Sequence, residues 1–268
     1  MKRYFDNRSR LLASAQKQFK KVAILVEESL GRSAAREFPS FVESPPRIAQ
    51  IEVTNRCNLR CQMCPLADPD YEPSGGEAHL SLARFLAILE KLPALEAVSL
   101  QGLGEPLLNP ELPDIIQAAS DRGIHVTFFT NGMLLTEEKA RALLESGLGH
   151  LVFSLDGATA ETYERIRRGA KLDKLVSNIR GMVELKERMG ASRTELSIMT
   201  VGMRENLAEI PDVVRIAGET GITAVTIKHL YEDAGLPGSS ASLAGVDIQE
   251  LKGRISEVAS QFNVKVSL

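Results

Sequence analysis

The chain has 268 residues, 44% hydrophobic and 25% charged, which marks a globular protein of one large or two small domains with material for a sizeable core. The 32 Lys and Arg against 35 Asp and Glu leave a net charge of −3, which excludes a general nucleic-acid binder though not a local basic patch. No apolar run approaches the roughly 18 residues of a membrane span, and Val22 to Val26 is too short for a secretory segment, so a cytoplasmic protein is expected.

Residues 1–47 read as a helical extension. Lys2, Arg3, Arg8, Arg10, Lys17, Lys20 and Lys21 stand there against the acid Asp6, and Leu11, Leu12, Ala15, Phe19, Val22 and Ala23 recur at helical spacing. The expected amphipathic helix either docks on the main domain or meets an anionic partner or membrane. Pro45-Pro46 ends it.

From residue 48 the chain alternates. Strands are expected at Ile48–Thr54, Ala97–Gln101, His125–Thr130, His150–Leu155, Glu195–Val201 and Ala224–Leu230. Helices are expected between them, at 81–91, 111–122, 136–146, 159–189 with a break near Gly169, and 206–218. Thr136-Glu-Glu-Lys reads as a helix start, and Gly123, Gly147 and Gly221 fall where helices should end. Alternation of this kind implies a parallel sheet with helical crossovers, an α/β fold. After the Gly/Ser-rich Gly235–Gly245 loop, 236–268 carries a last helix near 247–262 and a run, Val264–Leu268, able to pair as an edge strand.

Polar and Gly-rich signals collect at the strand ends. The cysteines follow the first strand, and Gly102-Leu-Gly-Glu-Pro106 follows the second. The third ends in Thr130-Asn-Gly132, the fourth in Ser154-Leu-Asp-Gly157, the fifth near Gly202-Met-Arg204. In parallel α/β folds ligands bind at this end of the sheet. Lys228, His229, Tyr231 and Glu232 close the sixth strand without an assigned role. Met199 and Met203 read as packing residues, and Asp156 reads as a helix cap.

The chain has three cysteines, clustered as Cys57-Asn-Leu-Arg-Cys61-Gln-Met-Cys64. An odd number argues against a disulfide framework. Structural zinc wants four protein ligands, and a [4Fe–4S] cluster normally takes four thiolates, so three leave one position open. Iron–sulfur ligation, zinc ligation and inert thiols all remain open on spacing alone.

Cys57-x3-Cys61-x2-Cys64 after a strand ending Ile-Glu-Val-Thr-Asn resembles the signature of radical S-adenosylmethionine enzymes, and the resemblance covers about residues 48–230. It implies a partial (β/α)6 TIM-like barrel in which Cys57, Cys61 and Cys64 hold one [4Fe–4S] cluster. The open iron is implied to bind S-adenosylmethionine, whose one-electron cleavage gives a 5′-deoxyadenosyl radical that abstracts hydrogen from a substrate. Met63 stands where the family usually has an aromatic residue. Gly104-Glu105-Pro106 is similar to the family's Gly-Gly-Glu-Pro motif, with Leu103 in place of the first glycine; its backbone would receive the methionine amino group, and glycine would allow that close approach. Thr130 and Asn131 are implied at the cofactor site by their strand-end position, and Ser154 matches the family's strand-four serine. Arg167, with Arg168 next in line, is the expected partner of the cofactor carboxylate, where a two-pronged pair favours Arg over Lys.

The segment Ser154–Gly157 with Ile166-Arg-Arg-Gly169 resembles the branch of sulfatase maturases, peptide-modifying enzymes and molybdopterin-precursor synthases. No Cys follows Cys64, so cysteine-ligated auxiliary clusters are excluded in this chain. The expected organisation is an extension at 1–47, a core barrel at 48–235 and a terminal helix and strand at 236–268. The expected partners are a reductant such as flavodoxin or ferredoxin and a peptide, sugar or other metabolite as substrate. The alternative is a zinc- or iron–sulfur-binding regulatory or scaffold protein without radical catalysis, or an electron carrier that leaves S-adenosylmethionine intact.

Overall fold

A computed structural model describes residues 45–71, 78–229 and 248–267. The leader helix expected within 1–44, the Gly235–Gly245 loop, Tyr231, Glu232 and the side chain of His229 lie outside the described residues.

Among the described residues seven strands form one all-parallel sheet: β1 (Ile48–Gln50), β3 (Ala97–Ser99), β4 (His125–Thr130), β5 (His150–Ser154), β7 (Glu195–Gly202), β8 (Ala224–His229) and β9 (Lys265–Ser267), in that spatial order. A two-residue antiparallel ladder joins β2 (Arg60–Cys61) to β6 (Arg167–Arg168). The helices between are α1 (Leu82–Glu90), α2 (Leu112–Ser120), α3 (Glu137–Glu145), α4 (Ala160–Ile166), α5 (Leu172–Met189), α6 (Ile210–Glu219) and α7 (Ile248–Phe262). The architecture is a partial (β/α)6 barrel, and β9 adds a seventh strand beside β8 at one edge while β1 forms the other.

Alternation along the strands divides the side chains into two rows. Val98, Val126, Phe128, Leu151, Phe153, Ile198, Val225 and Ile227 are buried in the core that the helices cover. Phe128 and Phe153 are fully buried, and each stabilises the fold by about 1.5–3 kcal/mol through removal from water. The other row, with Ser99, Thr127, Val152, Ser154, Met199 and Thr226, lines the concave face; of these Val152 is buried and the rest are half-buried.

Local chemistry sets the helix limits. Ser81, Thr136 and Thr159 cap α1, α3 and α4, accepting from the backbone N–H groups of Arg84, Lys139 and Thr162. Gly190 ends α5 in the left-handed region at φ 62°. The break expected near Gly169 falls between α4 and α5, and that glycine has φ 95°.

Three expectations need correction, and one feature is new. The first strand stops at Gln50 rather than Thr54, because beyond the Ile51 N–H bond to the Ser99 carbonyl the chain turns to other partners: Leu80 N–H and Asn109 Nδ2 take the Val53 carbonyl, and Thr54 bridges His79. The fifth helix starts at Ile210, after a short 3-10 turn over Leu207–Glu209. Asp156 caps nothing: Thr159 takes that role on α4. The ladder of Arg167 and Arg168 with the cysteine loop was not expected at all.

Candidate active site

The cysteine loop is laced to the turns after two strands and to the end of α4. Glu105 N donates to the Arg56 carbonyl at 2.8 Å. Gln62 N donates to the Ile166 carbonyl at 2.7 Å, next to the β2–β6 ladder. Asn131 Nδ2 donates to Asn58 Oδ1 at 2.9 Å. Residues 56–62 are thus held by the turns that follow β3 and β4 and by the end of α4.

Glycine at 104 has a structural cause. A Cβ there would lie 2.0 Å from the Thr54 carbonyl oxygen and 2.8 Å from that of Arg56. The backbone of the second strand end therefore packs directly on the base of the cysteine loop, and no side chain fits between. Leu103 is exposed, and its N–H donates to Glu52 at 2.6 Å.

Glu105 is buried, and its carboxylate ties neighbouring loops together. One oxygen accepts from Thr130 Oγ1 at 2.7 Å and Leu107 N at 3.2 Å, the other from Asn131 N at 2.7 Å. Burial pushes its pKa up, and these donors oppose the shift. Thr130 Oγ1 also accepts from Gly132 N, and Asn131 Oδ1 accepts from Met133 N. The polar groups of Glu105, Thr130 and Asn131 therefore hold protein partners, and these residues shape the wall beside the cysteines.

Arg167 and Arg168 part company. Arg168 is exposed and faces Arg60 across the ladder. Arg167 turns inward to Asp156, with Nε and Nη2 each 2.7 Å from Oδ2, and its Nη1 lies 3.9 Å from Cys61 Sγ. Asp156 is fully buried, and its other oxygen accepts from Val201 N at 2.7 Å. Asn206 completes the brace, donating to the carbonyls of Asp156 and Val201. Burial alone would lower the Arg167 pKa, but the charge of Asp156 and the Cys61 sulfur hold it up. Ser154 stands half-buried at the end of β5, on the concave row, two residues before Asp156.

All three thiols are free and half-buried. Burial pushes Cys57 up to about 11, against a hydrogen bond from Leu59 N. Burial raises Cys61 as well, and Arg167 opposes it. Among the described residues no three His, Cys, Asp or Glu side chains gather closely enough to hold a metal ion. A mononuclear site needs all its sulfurs about 2.3 Å from one point, whereas a cluster spreads its cysteines over separate irons.

The residues fit a bulky group at this loop. Tyr163 OH is fully buried without a hydrogen-bond partner, close enough to Arg167, Asp156 and Cys61 to feel their charges. Burial raises its pKa, so it stays a neutral donor. Ser99 Oγ, on the concave row, is a second unpartnered hydroxyl. Sequence reasoning missed Tyr163, Asn58 and Asn206, and assigned Asp156 wrongly, because their partners lie far away along the chain.

The sequence and fold have relatives. The tungsten-containing aldehyde ferredoxin oxidoreductase cofactor-modifying protein of Pyrococcus furiosus is 31% identical over 187 residues, 67% of this chain and 50% of its own length. The PqqA peptide cyclase of Gluconobacter oxydans is 31% identical over 218 residues, 80% of this chain and 58% of its own. The chain spans about half the length of these curated relatives. In fold it resembles Streptococcus suis SuiB bound to S-adenosylmethionine, with TM-score 0.66 and 18% identity over 84% of this chain and 50% of that one. With SuiB bound to its precursor peptide SuiA the TM-score is 0.68, at 17% identity over 94% and 61%. A family model matches residues 51–217, from just after the first strand through the cysteine loop and the Asp156–Arg167 brace into α6, and so this chain belongs to the radical SAM superfamily, whose cofactors are a [4Fe–4S] cluster and S-adenosylmethionine.

Proposed function

We propose that residues 48–235 form the catalytic core of a radical S-adenosylmethionine enzyme, with Cys57, Cys61 and Cys64 as the cluster ligands. The bound pair of cofactors supplies one-electron cleavage of the sulfonium and hydrogen abstraction from a substrate. The observation that carries this reading is the convergence of free thiols, the Asp156–Arg167 pair and an unpartnered Tyr163 hydroxyl at the carboxyl end of a parallel barrel.

This chain's residues have distinct parts. Glu105, Thr130 and Asn131 fix the loops around the thiols. Gly104 lets the second strand end close on the cysteine loop, and its backbone borders the cofactor. Arg167 sets its positive charge against Cys61, which favours the thiolate needed for ligation. Ser154 offers its hydroxyl to the cofactor from the concave face. Arg167, expected from sequence to meet the cofactor carboxylate, is committed to Asp156 and reaches the cofactor region through the Cys61 sulfur.

The substrate we favour is a peptide, supported by the names of the PqqA peptide cyclase and of SuiB with its precursor peptide. A cytoplasmic location fits three free thiols in one oxygen-sensitive loop. No helix among the described residues is long and apolar enough to cross a membrane.

Anaerobic reconstitution with iron and sulfide tests the reading. The expected outcome is one four-iron cluster per chain and reductant-dependent formation of methionine and 5′-deoxyadenosine from S-adenosylmethionine. Zinc bound in place of iron, or a cluster that never cleaves the cofactor, would return the protein to the scaffold or electron-carrier class.

A further inference from the structure

Tyr163 heads the largest fully buried side chains among the described residues, and its hydroxyl has no hydrogen-bond partner. A buried phenol ordinarily finds an acceptor, because an unpaired polar group in the interior carries the cost of its lost water. The backbone around it is fixed. A Cβ on Gly157 would come within 2.8 Å of the Tyr163 backbone nitrogen, so α4 sits tightly against the loop that follows β5.

The surroundings of the hydroxyl belong to the cysteine loop. Arg167 follows one turn after Tyr163 at the end of α4, and its N–H donates to the Tyr163 carbonyl. Arg167 is also the register partner of Cys61 and brings Nη1 to 3.9 Å from Cys61 Sγ. Tyr163 feels the charges of Arg167, Asp156, Cys61 and Glu105. The two acids among these already hold donors. Asp156 accepts from Arg167 and Val201 N, and Glu105 accepts from Thr130, Leu107 and Asn131. Sulfur is the acceptor chemistry left in this neighbourhood, and the Cys61 thiol by itself does not engage the hydroxyl.

We propose that the Tyr163 hydroxyl donates a hydrogen bond to a sulfide of the bound cluster on its Cys61 side, and so raises the cluster's reduction potential. This rests on the proposal that Cys57, Cys61 and Cys64 hold a [4Fe–4S] cluster, and it deepens that reading. Hydrogen bonds to the sulfurs are among the controls on the potential of such clusters. An added electron makes the sulfurs more negative, so a donor stabilises the reduced form more than the oxidised one. Arg167 faces the same sulfur, but Asp156 offsets its charge. Tyr163 brings a neutral donor with no competing partner. The phenol keeps its proton in both states, and no bond is made or broken. The cost of the unpaired donor falls on the cluster-free protein alone.

Tyr163→Phe in the full chain tests this, because it removes one oxygen and leaves the ring in place. The cluster-free variant should melt at or above the wild-type temperature, since the lost hydroxyl had no partner. After anaerobic reconstitution, and before S-adenosylmethionine is added, a redox titration followed by electron paramagnetic resonance should show a lower potential. The reduced-to-oxidised ratio at a fixed ambient potential should fall about three- to tenfold, roughly 30–60 mV for a one-electron couple. A variant that melts normally yet loses iron to a chelator faster than wild type also supports the contact. Unchanged potential with unchanged iron retention overturns the inference. So does a loss confined to S-adenosylmethionine affinity, which would give the hydroxyl to that cofactor. A cluster-free variant that melts well below wild type overturns it too, because the hydroxyl then has a partner in the protein or a buried water. Wild-type protein that takes up no cluster overturns the proposed function instead, so the two failures are distinct.

Discussion

Arg167 and Asp156 form a buried ion pair at the heart of the site, with Nε and Nη2 of the guanidinium each 2.7 Å from one carboxylate oxygen. The third nitrogen of the fork lies 3.9 Å from Cys61 Sγ. The pair therefore links the end of β5 to the cysteine loop. Removing one partner leaves a buried charge uncompensated, at a cost of about 3–5 kcal/mol. Arg167→Ala should lose that much in chemical denaturation, and Arg167→Ala with Asp156→Asn should recover part of it. Additive losses in the double variant would deny the coupling.

Single Ser substitutions at Cys57, Cys61 and Cys64 should each strip or destabilise the cluster under anaerobic reconstitution. Iron and sulfide analysis reads the effect. A Cys61→Ser protein with wild-type iron, sulfide and cofactor cleavage would remove that residue from the ligand set.

Ser154→Ala should weaken S-adenosylmethionine binding by about tenfold or more, the loss expected for a hydrogen bond to a charged group. Its cluster content should be unchanged, because Ser154 stands outside the three-cysteine ligand set. Equilibrium binding to the reconstituted protein measures this, and unchanged affinity would take Ser154 out of the cofactor site.

Gly104→Ala should lower stability by roughly 1–3 kcal/mol, the usual cost of forcing extra atoms into a packed site. The new Cβ would lie 2.0 Å from the Thr54 carbonyl oxygen, so backbone must move, and iron retention should fall with it. Melting and iron content of the variant check both effects. Normal values for both would mean that the second strand end yields without disturbing the thiols.

His150 and Ser197 share a 2.8 Å hydrogen bond on the concave face. Burial lowers the imidazole pKa from 6.5, against the pull of Glu195. Below that value the unfolded chain binds a proton that the folded state refuses. Stability from this group is then fully present above pH 6.5 and declines as the pH falls below it. His150→Gln should flatten the stability profile in that window; an unaltered slope between pH 5 and 7, roughly the range around the ordinary histidine value, would assign it to other groups.

Much of this protein is legible residue by residue. The strand at His125–Thr130 was expected with its observed limits because β-branched and aromatic residues there alternate with the pleat. Thr136 starts α3 as its side chain predicts, and the terminal run pairs with β8 as an edge strand. The clustered cysteines and the Gly-Glu-Pro turn point to the family because their spacing lies within one loop each. These are local properties: periodicity, caps and short motifs need no partner from elsewhere in the chain.

What the tertiary structure decided is where distant polar groups meet. Asp156 reads as an ordinary cap until Arg167 and Val201 N come to it. Glu105 reads as part of a motif until Thr130 and Asn131 saturate its carboxylate. The choice between Arg167 and Arg168 depends on which face of a two-residue ladder turns inward, and one residue of register reverses it. Even the need for glycine at 104 comes from the Thr54 carbonyl, fifty positions away. A buried charge or donor takes whatever partner the folded chain brings within about 3 Å, and sequence spacing carries no record of that encounter.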